Sequence, residues 1–221
     1  MSDRPKPTRL VRSNSHADDR YSERTITVAD QSEPVIDIQH QDAPMLTHAE
    51  VQGGVASVTI AGRAPQGEED TPETCRRLAD ALTARGRTSW TYEQENVPLN
   101  PRIDGYIRSA SENATVPVQV TRAGSAERWR GLNTEGSISQ SVTQAQSAEE
   151  IWLAIMRKRN SEDPGMILAV RGQAGIHNLP AVVQAFLDEH SAELGALPYR
   201  SVWLIGPSRE ATFCLHERLA D

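Results

Sequence analysis

Residues 102–122, RIDGYIRSASENATVPVQVTR, hold the pattern that decides the fold of this chain. Within this stretch, residues 102–108 and 115–122 alternate apolar and polar side chains, which is typical of β-strands. The polar turn between them is shorter than the dozen or so residues that a parallel crossover needs. The two strands are therefore expected to be antiparallel neighbours, and residues 89–93 (SWTYE) predict a third strand just before them.

The surrounding sequence supplies helices and further strands. Thr71, Pro72 and Glu73 are typical of a helix start, and Ser147 opens a second helix. Apolar residues at helical spacing over 179–187 predict a third helix. The remaining apolar runs predict strands at 166–170, 201–205 and 211–215. We therefore expect an α/β domain with a mixed central sheet flanked by helices.

Composition divides the chain into a tail and a domain. Residues 1–47 are rich in Ser, Asp, Arg, Gln and Pro, so they bury too little apolar surface to offset the entropy of ordering. We expect residues 1–47 to form a disordered or loosely docked N-terminal tail and residues 48–221 a single α/β domain. Residues 123–146 are a polar segment longer than an ordinary connection, which indicates a functional or a mobile loop.

Charge and hydropathy exclude several classes of protein. The chain has 23 Lys+Arg against 30 Asp+Glu, a net charge of -7, which argues against a protein that coats nucleic acid with a basic surface. Residues 101–160 are an exception, with eight basic and six acidic residues and a net charge of +2. No apolar run is long enough to cross a bilayer, so we expect a cytoplasmic protein with no membrane contact.

Two polar side chains on the predicted hairpin are candidate metal ligands. Alternation places Asp104 and Gln119 on the face opposite the isoleucines and valines of their strands. Carboxylate and amide oxygens are ligands that Mg²⁺ accepts. The alternative is that Asp104 is a surface acid near a turn and Gln119 a solvated strand residue.

The order helix, three strands, helix, strand over residues 71–170 resembles the core of the PD-(D/E)xK, or restriction-endonuclease-like, phosphodiesterase superfamily. Asp104 in the second strand and the apolar-Gln-apolar-Thr-Arg motif in the third carry this resemblance. It implies that Asp104, Gln119 and Thr121 occupy catalytic positions, that Asp104, Gln119 and Glu73 bind Mg²⁺, and that the reaction is hydrolysis of phosphodiesters. The third helix and the C-terminal strand pair would be additions to that core.

One departure from the superfamily pattern divides the functional hypotheses. Thr121 stands where the superfamily has a lysine, and a neutral hydroxyl does not supply the positive charge of an ammonium group. Lys158 is a candidate substitute cation, although a cation near a helix C-terminus is also favoured by the helix dipole alone. The chain is therefore either a metal-dependent nuclease or a binding module that has lost catalysis.

Two further features suggest partners. Arg128, Trp129 and Arg130 form a triplet in the polar segment, and arginine and tryptophan contact phosphates and stacked bases. With Arg122, this triplet predicts nucleic-acid binding, although a lone tryptophan in a loop also serves to anchor the loop. A third hypothesis is a small interaction protein that recruits a protein partner through residues 1–47.

Overall fold

The structure, a computed structural model, describes most of the chain in ranges separated by gaps. These ranges are 9–14, 21–28, 35–40, 45–52, 55–62, 67–86, 88–93, 102–124, 130, 134–160, 163–172, 177, 179–206 and 211–218. The chain divides into two compact units. The first comprises Met1–Ala64 and Ala126–Gln144, and the second comprises Pro65–Ser125 and Ala145–Asp221.

The first unit contains an antiparallel sheet that has six strands within the described residues. In spatial order they are β1 (Arg9–Asn14), β2 (Tyr21–Val28), β3 (Val35–His40), β4 (Met45–Gln52), β5 (Val55–Gly62) and β9 (Ser137–Thr143). Each of β1 to β4 pairs with the next strand along the chain, and β5 pairs with β9, which comes from distant sequence.

The division into units differs from the boundary expected near residue 48. It falls between Ala64 and Pro65, because β5 pairs with β4 on one side and with β9 on the other. Strand β9 lies in the segment expected to be a loop, where SISQSVT offers only two apolar residues. Its partner strand lies about 80 residues away, so no local pattern indicated the pairing. Whether residues 1–47 order only when they dock stays a prediction.

The second unit contains the mixed sheet that the sequence predicted, with helices on both faces. Its described strands are β6 (Trp90–Glu93), β7 (Gly105–Ser109), β8 (Ala114–Arg122), β10 (Ile167–Arg171), β11 (Ser201–Ile205) and β12 (Phe213–Glu217), in the spatial order β12-β11-β10-β8-β7-β6. Strand β10 runs parallel to both β8 and β11, and the other neighbours are antiparallel. The flanking helices are α1 (Gly67–Arg85), α2 (Gln144–Met156) and α3 (Pro180–Leu194). The α/β class and the mixed sheet are confirmed.

Two hydrophobic clusters cover the two faces of this sheet. One lies under α1, and its buried members include Cys75, Leu78, Ile107, Val116, Val118, Ile167 and Trp203. The other lies under α2 and α3, and its buried members include Ile151, Ile155, Leu168, Val170, Phe186 and Tyr199. The middle of β8 is therefore covered on both faces, and the buried polar side chains of Gln119 and Thr121 there need hydrogen-bonding partners.

Both predicted helix starts lie inside longer helices. Helix α1 begins at Gly67, so Pro72 lies inside it and Glu73 lies in its second turn. Helix α2 begins at Gln144, three residues before Ser147. None of the described helices has the length and apolar character that crossing a membrane requires.

Pro117 lies in the central strand β8 at a position that tolerates proline. The Val118 carbonyl accepts a hydrogen bond from Asp104 N–H, so the backbone of Val118 points towards β7. The nitrogen of Pro117 therefore points the other way, towards β10, whose pairing with β8 begins only at Val118. No ladder hydrogen bond is lost at this proline.

Candidate functional site

Two arginines lie side by side where the central parallel strands end. Arg122 is the last residue of β8 and Arg171 the last residue of β10, and the two are register partners. Alternation places both on the α1 face, with Val118 and Ile167. Ligands of open α/β sheets bind outside the carboxyl ends of parallel strands, so this edge is the natural place for a site.

Helix α1 supplies the carboxylate that holds Arg171. Arg171 Nη1 lies 3.6 Å from Glu73 Oε2 and donates a 3.4 Å hydrogen bond to Thr74 Oγ1. The other carboxylate oxygen of Glu73 is 3.2 Å from Arg77 Nη2. The three charged side chains are only 11% to 14% exposed, so water screens these interactions weakly.

The electrostatics of this edge favour an anion. Burial, together with the nearby positive charge of Arg171, lowers the pKa of the Arg122 guanidinium to about 10. Arg122 remains charged at neutral pH, but at a free-energy cost that a bound anion would reduce. The second turn of α1 lies at the same edge, because Glu73 reaches Arg171 there.

The chain leaves β8 sharply. Gly124, two residues after Arg122, is buried and has φ 110°, a conformation that strains any side-chain-bearing residue. Arg157, which directly follows α2, also holds the backbone of Arg122. Its Nη2 donates a 2.6 Å hydrogen bond to the Arg122 carbonyl. The position of Arg122 is therefore fixed by the sheet, by the turn and by Arg157.

Asp104 lies directly before β7 and binds the backbone of β8. Its Oδ2 accepts a 2.7 Å hydrogen bond from Val120 N–H, and its own N–H donates to the Val118 carbonyl at 2.9 Å. Asp104 therefore extends the hydrogen bonding between β7 and β8 by one residue before the start of β7. This contact gives Asp104 a structural role at the same edge as Arg122.

The side chains of Gln119 and Thr121 lie on the opposite face, under α2 and α3. Gln119 Nε2 donates to the Arg102 carbonyl at 2.9 Å, and Gln119 Oε1 accepts from the Tyr199 hydroxyl at 2.7 Å. Thr121 Oγ1 donates a 3.4 Å hydrogen bond to the Ala154 carbonyl of α2. Both side chains are buried, and each polar group that these contacts involve has a protein partner.

The predicted metal-binding set is brought together only in part. The backbone of Asp104 lies beside β8 close to Gln119, but the Asp104 carboxylate binds Val120 N–H while the Gln119 amide binds the Arg102 carbonyl and the Tyr199 hydroxyl. Glu73 lies on the α1 face, away from the Gln119 side chain. Helices cover both faces of the sheet, so the face opposite the valines of β8 also packs against a hydrophobic cluster. Among the described residues, no group of three or more His, Cys, Asp or Glu side chains is arranged to hold a metal ion.

The other predicted residues lie elsewhere or outside the described ranges. Arg128 and Trp129 fall outside them, and Arg130 is an exposed residue of the first unit whose carbonyl accepts a hydrogen bond from Thr134 Oγ1. Lys158 follows α2, and its carbonyl faces the Tyr199 hydroxyl. Of the predicted nucleic-acid contacts, Arg122 is the one that the described structure places at the candidate site.

Sequence reasoning missed Arg171 and the partner of His177. The signal for Arg171 is that an apolar strand ends in Arg followed by Gly, as β8 ends in Arg122 with Gly124 close behind. His177, fully buried, follows β10 and its Nε2 lies 2.8 Å from Glu150 Oε2 on α2. This pair ties the segment after β10 to α2, and only the folded structure reveals it.

No family model, no curated protein and no solved structure matches this chain.

Proposed function

We propose that the second unit binds a phosphate of a nucleic acid at the carboxyl ends of β8 and β10. The observation that carries this proposal is the pairing of Arg122 with Arg171 at that edge. A guanidinium group presents a planar fork of N–H donors that matches phosphate oxygens. Two such groups on adjacent strands, about 5 Å apart along the sheet, suit the oxygens of one phosphate.

The charges around the pair support an anionic ligand. Glu73 is a single carboxylate between Arg77 and Arg171, and Arg122 adds a further guanidinium beside them. These described groups therefore carry more positive than negative charge.

The contacts of the three motif residues favour binding over cleavage. Asp104 binds a backbone N–H, Gln119 bridges Arg102 and Tyr199, and Thr121 binds a helix carbonyl. Using Gln119 as a metal ligand would break a buried hydrogen bond, which costs roughly 1–3 kcal/mol. We therefore propose that the second unit is a nucleic-acid-binding module whose order of helices and strands resembles that of the nucleases but which lacks their catalytic lysine.

Mg²⁺-dependent phosphodiester hydrolysis is the second candidate. What supports it is the position of Asp104 beside the backbone of β8, next to Gln119 in the sheet, together with a helix, three antiparallel strands, a helix and a parallel strand in the order expected of the PD-(D/E)xK superfamily. In that case Asp104 would provide the main ligand for Mg²⁺. Glu73 would not share the ion with Gln119, because they lie on opposite faces.

A binding measurement tests the proposal. Fluorescence anisotropy with labelled single- and double-stranded DNA and RNA should show binding that weakens as salt rises. Arg122→Gln and Arg171→Gln should each weaken binding about ten-fold or more and reduce the salt slope by about 1. Arg108→Gln is the matched control, because Arg108 lies on β7 at the opposite edge and pairs with Glu93. Equal losses in all three variants would contradict the proposed site.

A cleavage assay separates the two candidates. The wild-type protein and Asp104→Asn are incubated with the same nucleic acids and Mg²⁺ or Mn²⁺. Binding without strand breaks supports the binding module, whereas cleavage that Asp104→Asn abolishes supports the hydrolase. Circular dichroism of each variant checks that it is folded.

A further inference from the structure

Strand β9 ends the sheet of the first unit on one side, within the described residues. Ser137, Ser139 and Ser141 of this strand are exposed, and a Cβ on Gly136 just before it would meet nothing within 4 Å in the described structure. The strand at the other edge, β1 (RLVRSN), carries two arginines, whereas β9 (SISQSVT) carries no charged residue and no proline. Charges and prolines are what keep edge strands from pairing with another chain, so β9 is an unprotected edge.

The register of the sheet shows how the backbone of β9 is oriented. Gln52 and Val55 are register partners with two residues between them, which is the spacing of a two-residue hairpin whose flanking backbones hydrogen-bond to each other. Backbone direction alternates along a strand, so Val55 faces β4 and Val58 faces β9. Gln140, the register partner of Val58, therefore directs its backbone towards β5.

The neighbours of Gln140 consequently direct their backbones away from the sheet. These are Ser139 and Ser141, whose N–H and C=O groups point to the outer side of β9. The side chains agree with this assignment, because Thr59 Oγ1 lies 2.9 Å from Ser139 Oγ and side chains approach closely in non-hydrogen-bonded pairs. The outer side of β9 thus offers backbone donors and acceptors to a further strand.

The sequence of β9 reads nearly the same in both directions. Residues at equal distance on either side of Gln140 match in kind, in the pairs Ser139 and Ser141, Ile138 and Val142, and Ser137 and Thr143. Two copies of the strand, placed antiparallel about a twofold axis at Gln140, would therefore set hydroxyl residues against hydroxyl residues and apolar against apolar. Identical surfaces that match each other in this way are what a twofold interface requires.

We propose that β9 pairs with β9 of a second copy of this chain, antiparallel and with Gln140 on the twofold axis. Ser139 of each copy exchanges both backbone hydrogen bonds with Ser141 of the other. The pairing uses the uncharged edge of each copy, so the assembly closes at two chains. The contact is seven residues long, which is small for a protein interface, so the dissociation constant should be micromolar. The pairing lies in the first unit and does not depend on the phosphate site of the second.

Sedimentation velocity of the full chain tests the dimer. From low to high micromolar concentration, the wild-type protein should change from monomer to dimer without larger species. Ser139→Lys and Ser141→Glu should each weaken dimerisation about three-fold or more, because the axis makes the two copies of each new charge diagonal neighbours. Mixed in equal amounts, these two variants should dimerise again, since the introduced lysine of one copy lies opposite the introduced glutamate of the other. Ser13→Lys, on β1 at the other edge, is the matched control and should leave dimerisation unchanged.

A cysteine on the axis tests the register. In a non-hydrogen-bonded pair the Cα atoms are about 4.5 Å apart, within the range that a disulfide spans. Gln140→Cys in a Cys214→Ser background should therefore form a covalent dimer on mild oxidation with diamide. Ser57→Cys in the same background should stay monomeric, because Ser57 is exposed but lies one strand inside the edge.

Three results would each overturn the proposal. The first is a wild-type protein that stays monomeric over the whole concentration range or that forms species larger than a dimer. The second is a dimer that Ser139→Lys leaves unchanged, or one that mixing with Ser141→Glu does not restore. The third is equal cross-linking of Ser57→Cys and Gln140→Cys.

Discussion

The Tyr199 hydroxyl donates a 2.7 Å hydrogen bond to Oε1 of Gln119, and both side chains are buried between the sheet and helices α2 and α3. The same hydroxyl faces the Lys158 carbonyl just after α2. A hydroxyl has one proton, so it donates to one of these two carbonyl oxygens at a time. Gln119, the residue expected to bind a metal, thereby becomes part of the contact between β8, the end of α2 and the segment before β11.

Removing the Tyr199 hydroxyl should destabilise the second unit. In Tyr199→Phe the buried Gln119 oxygen loses its donor, which should lower the free energy of unfolding by roughly 1–3 kcal/mol. Urea denaturation followed by circular dichroism measures this change. Tyr106→Phe is the control, because the half-buried Tyr106 lies on β7, away from this contact, and it should change stability by less. An unchanged midpoint for Tyr199→Phe would contradict the structural role given to Gln119.

Gly105 should not accept a side chain. A Cβ at this position would lie 3.0 Å from Cys75 Sγ and 3.1 Å from Tyr92 Cε2, so α1 and β6 would have to move away. Gly105→Ala should therefore destabilise the protein by about 1–3 kcal/mol through overpacking. Thermal or urea unfolding provides the measurement.

Two further variants identify the cause of that loss. In a Cys75→Ala background, Gly105→Ala should cost less, because the closest atom is gone. Gly195→Ala should be tolerated, since Gly195 has φ -63° and its nearest neighbour in that direction is 3.7 Å away. If Gly105→Ala costs the same with and without the Cys75 sulfur, the overpacking explanation is wrong.

The Cys75 thiol should be unreactive in the folded protein. Burial, with a smaller contribution from the Asp104 carboxylate, raises the pKa of Cys75 from about 9 to about 12. The thiolate fraction near pH 8 is then roughly a thousand-fold lower than for a free thiol. Reaction with an aromatic disulfide should label Cys75 only after unfolding, and rapid labelling of Cys75 in native Cys214→Ser would contradict this prediction.

The same shift predicts a pH dependence of stability. The native state keeps the Cys75 proton up to about pH 12, whereas the unfolded state releases it above about pH 9. Between these values the native state binds more protons, so the stability due to this thiol is lost as the pH rises. The difference in unfolding free energy between wild type and Cys75→Ala, measured at pH 7.5 and pH 10.5, should shrink at the higher pH. A difference that grows would contradict this sign.

The spacing of apolar and polar residues was sufficient to predict strands and helices of the second unit. The alternation in RIDGYIR and TVPVQVTR predicted β7 and β8, and the helical spacing over 179–187 predicted α3. Such patterns do not show which groups cover each face of β8, because these belong to helices from distant sequence. Gln119 and Thr121 were expected on the face opposite the valines, and they lie there, buried under α2 and α3.

The candidate site shows the same limit. Arg122 was identified from its motif, but its partner Arg171 lies 49 residues further along the chain and comes beside it only through the parallel pairing of β8 and β10. The link from Glu73 to Arg171 also crosses from α1 to the sheet. Contacts of this kind follow from topology, and no spacing within the sequence encodes them directly.

Nuclear magnetic resonance of the arginine side chains can show whether Arg122 and Arg171 contact a phosphate. The Nε–Hε correlations of these two residues and of Arg108 are assigned with the three Arg→Gln variants, and a 5′-phosphorylated trinucleotide is then added. The Arg122 and Arg171 signals should shift and saturate together with one dissociation constant, while the Arg108 signal stays in place. Binding of the trinucleotide that leaves the Arg122 and Arg171 signals unmoved would contradict a phosphate site at the ends of β8 and β10.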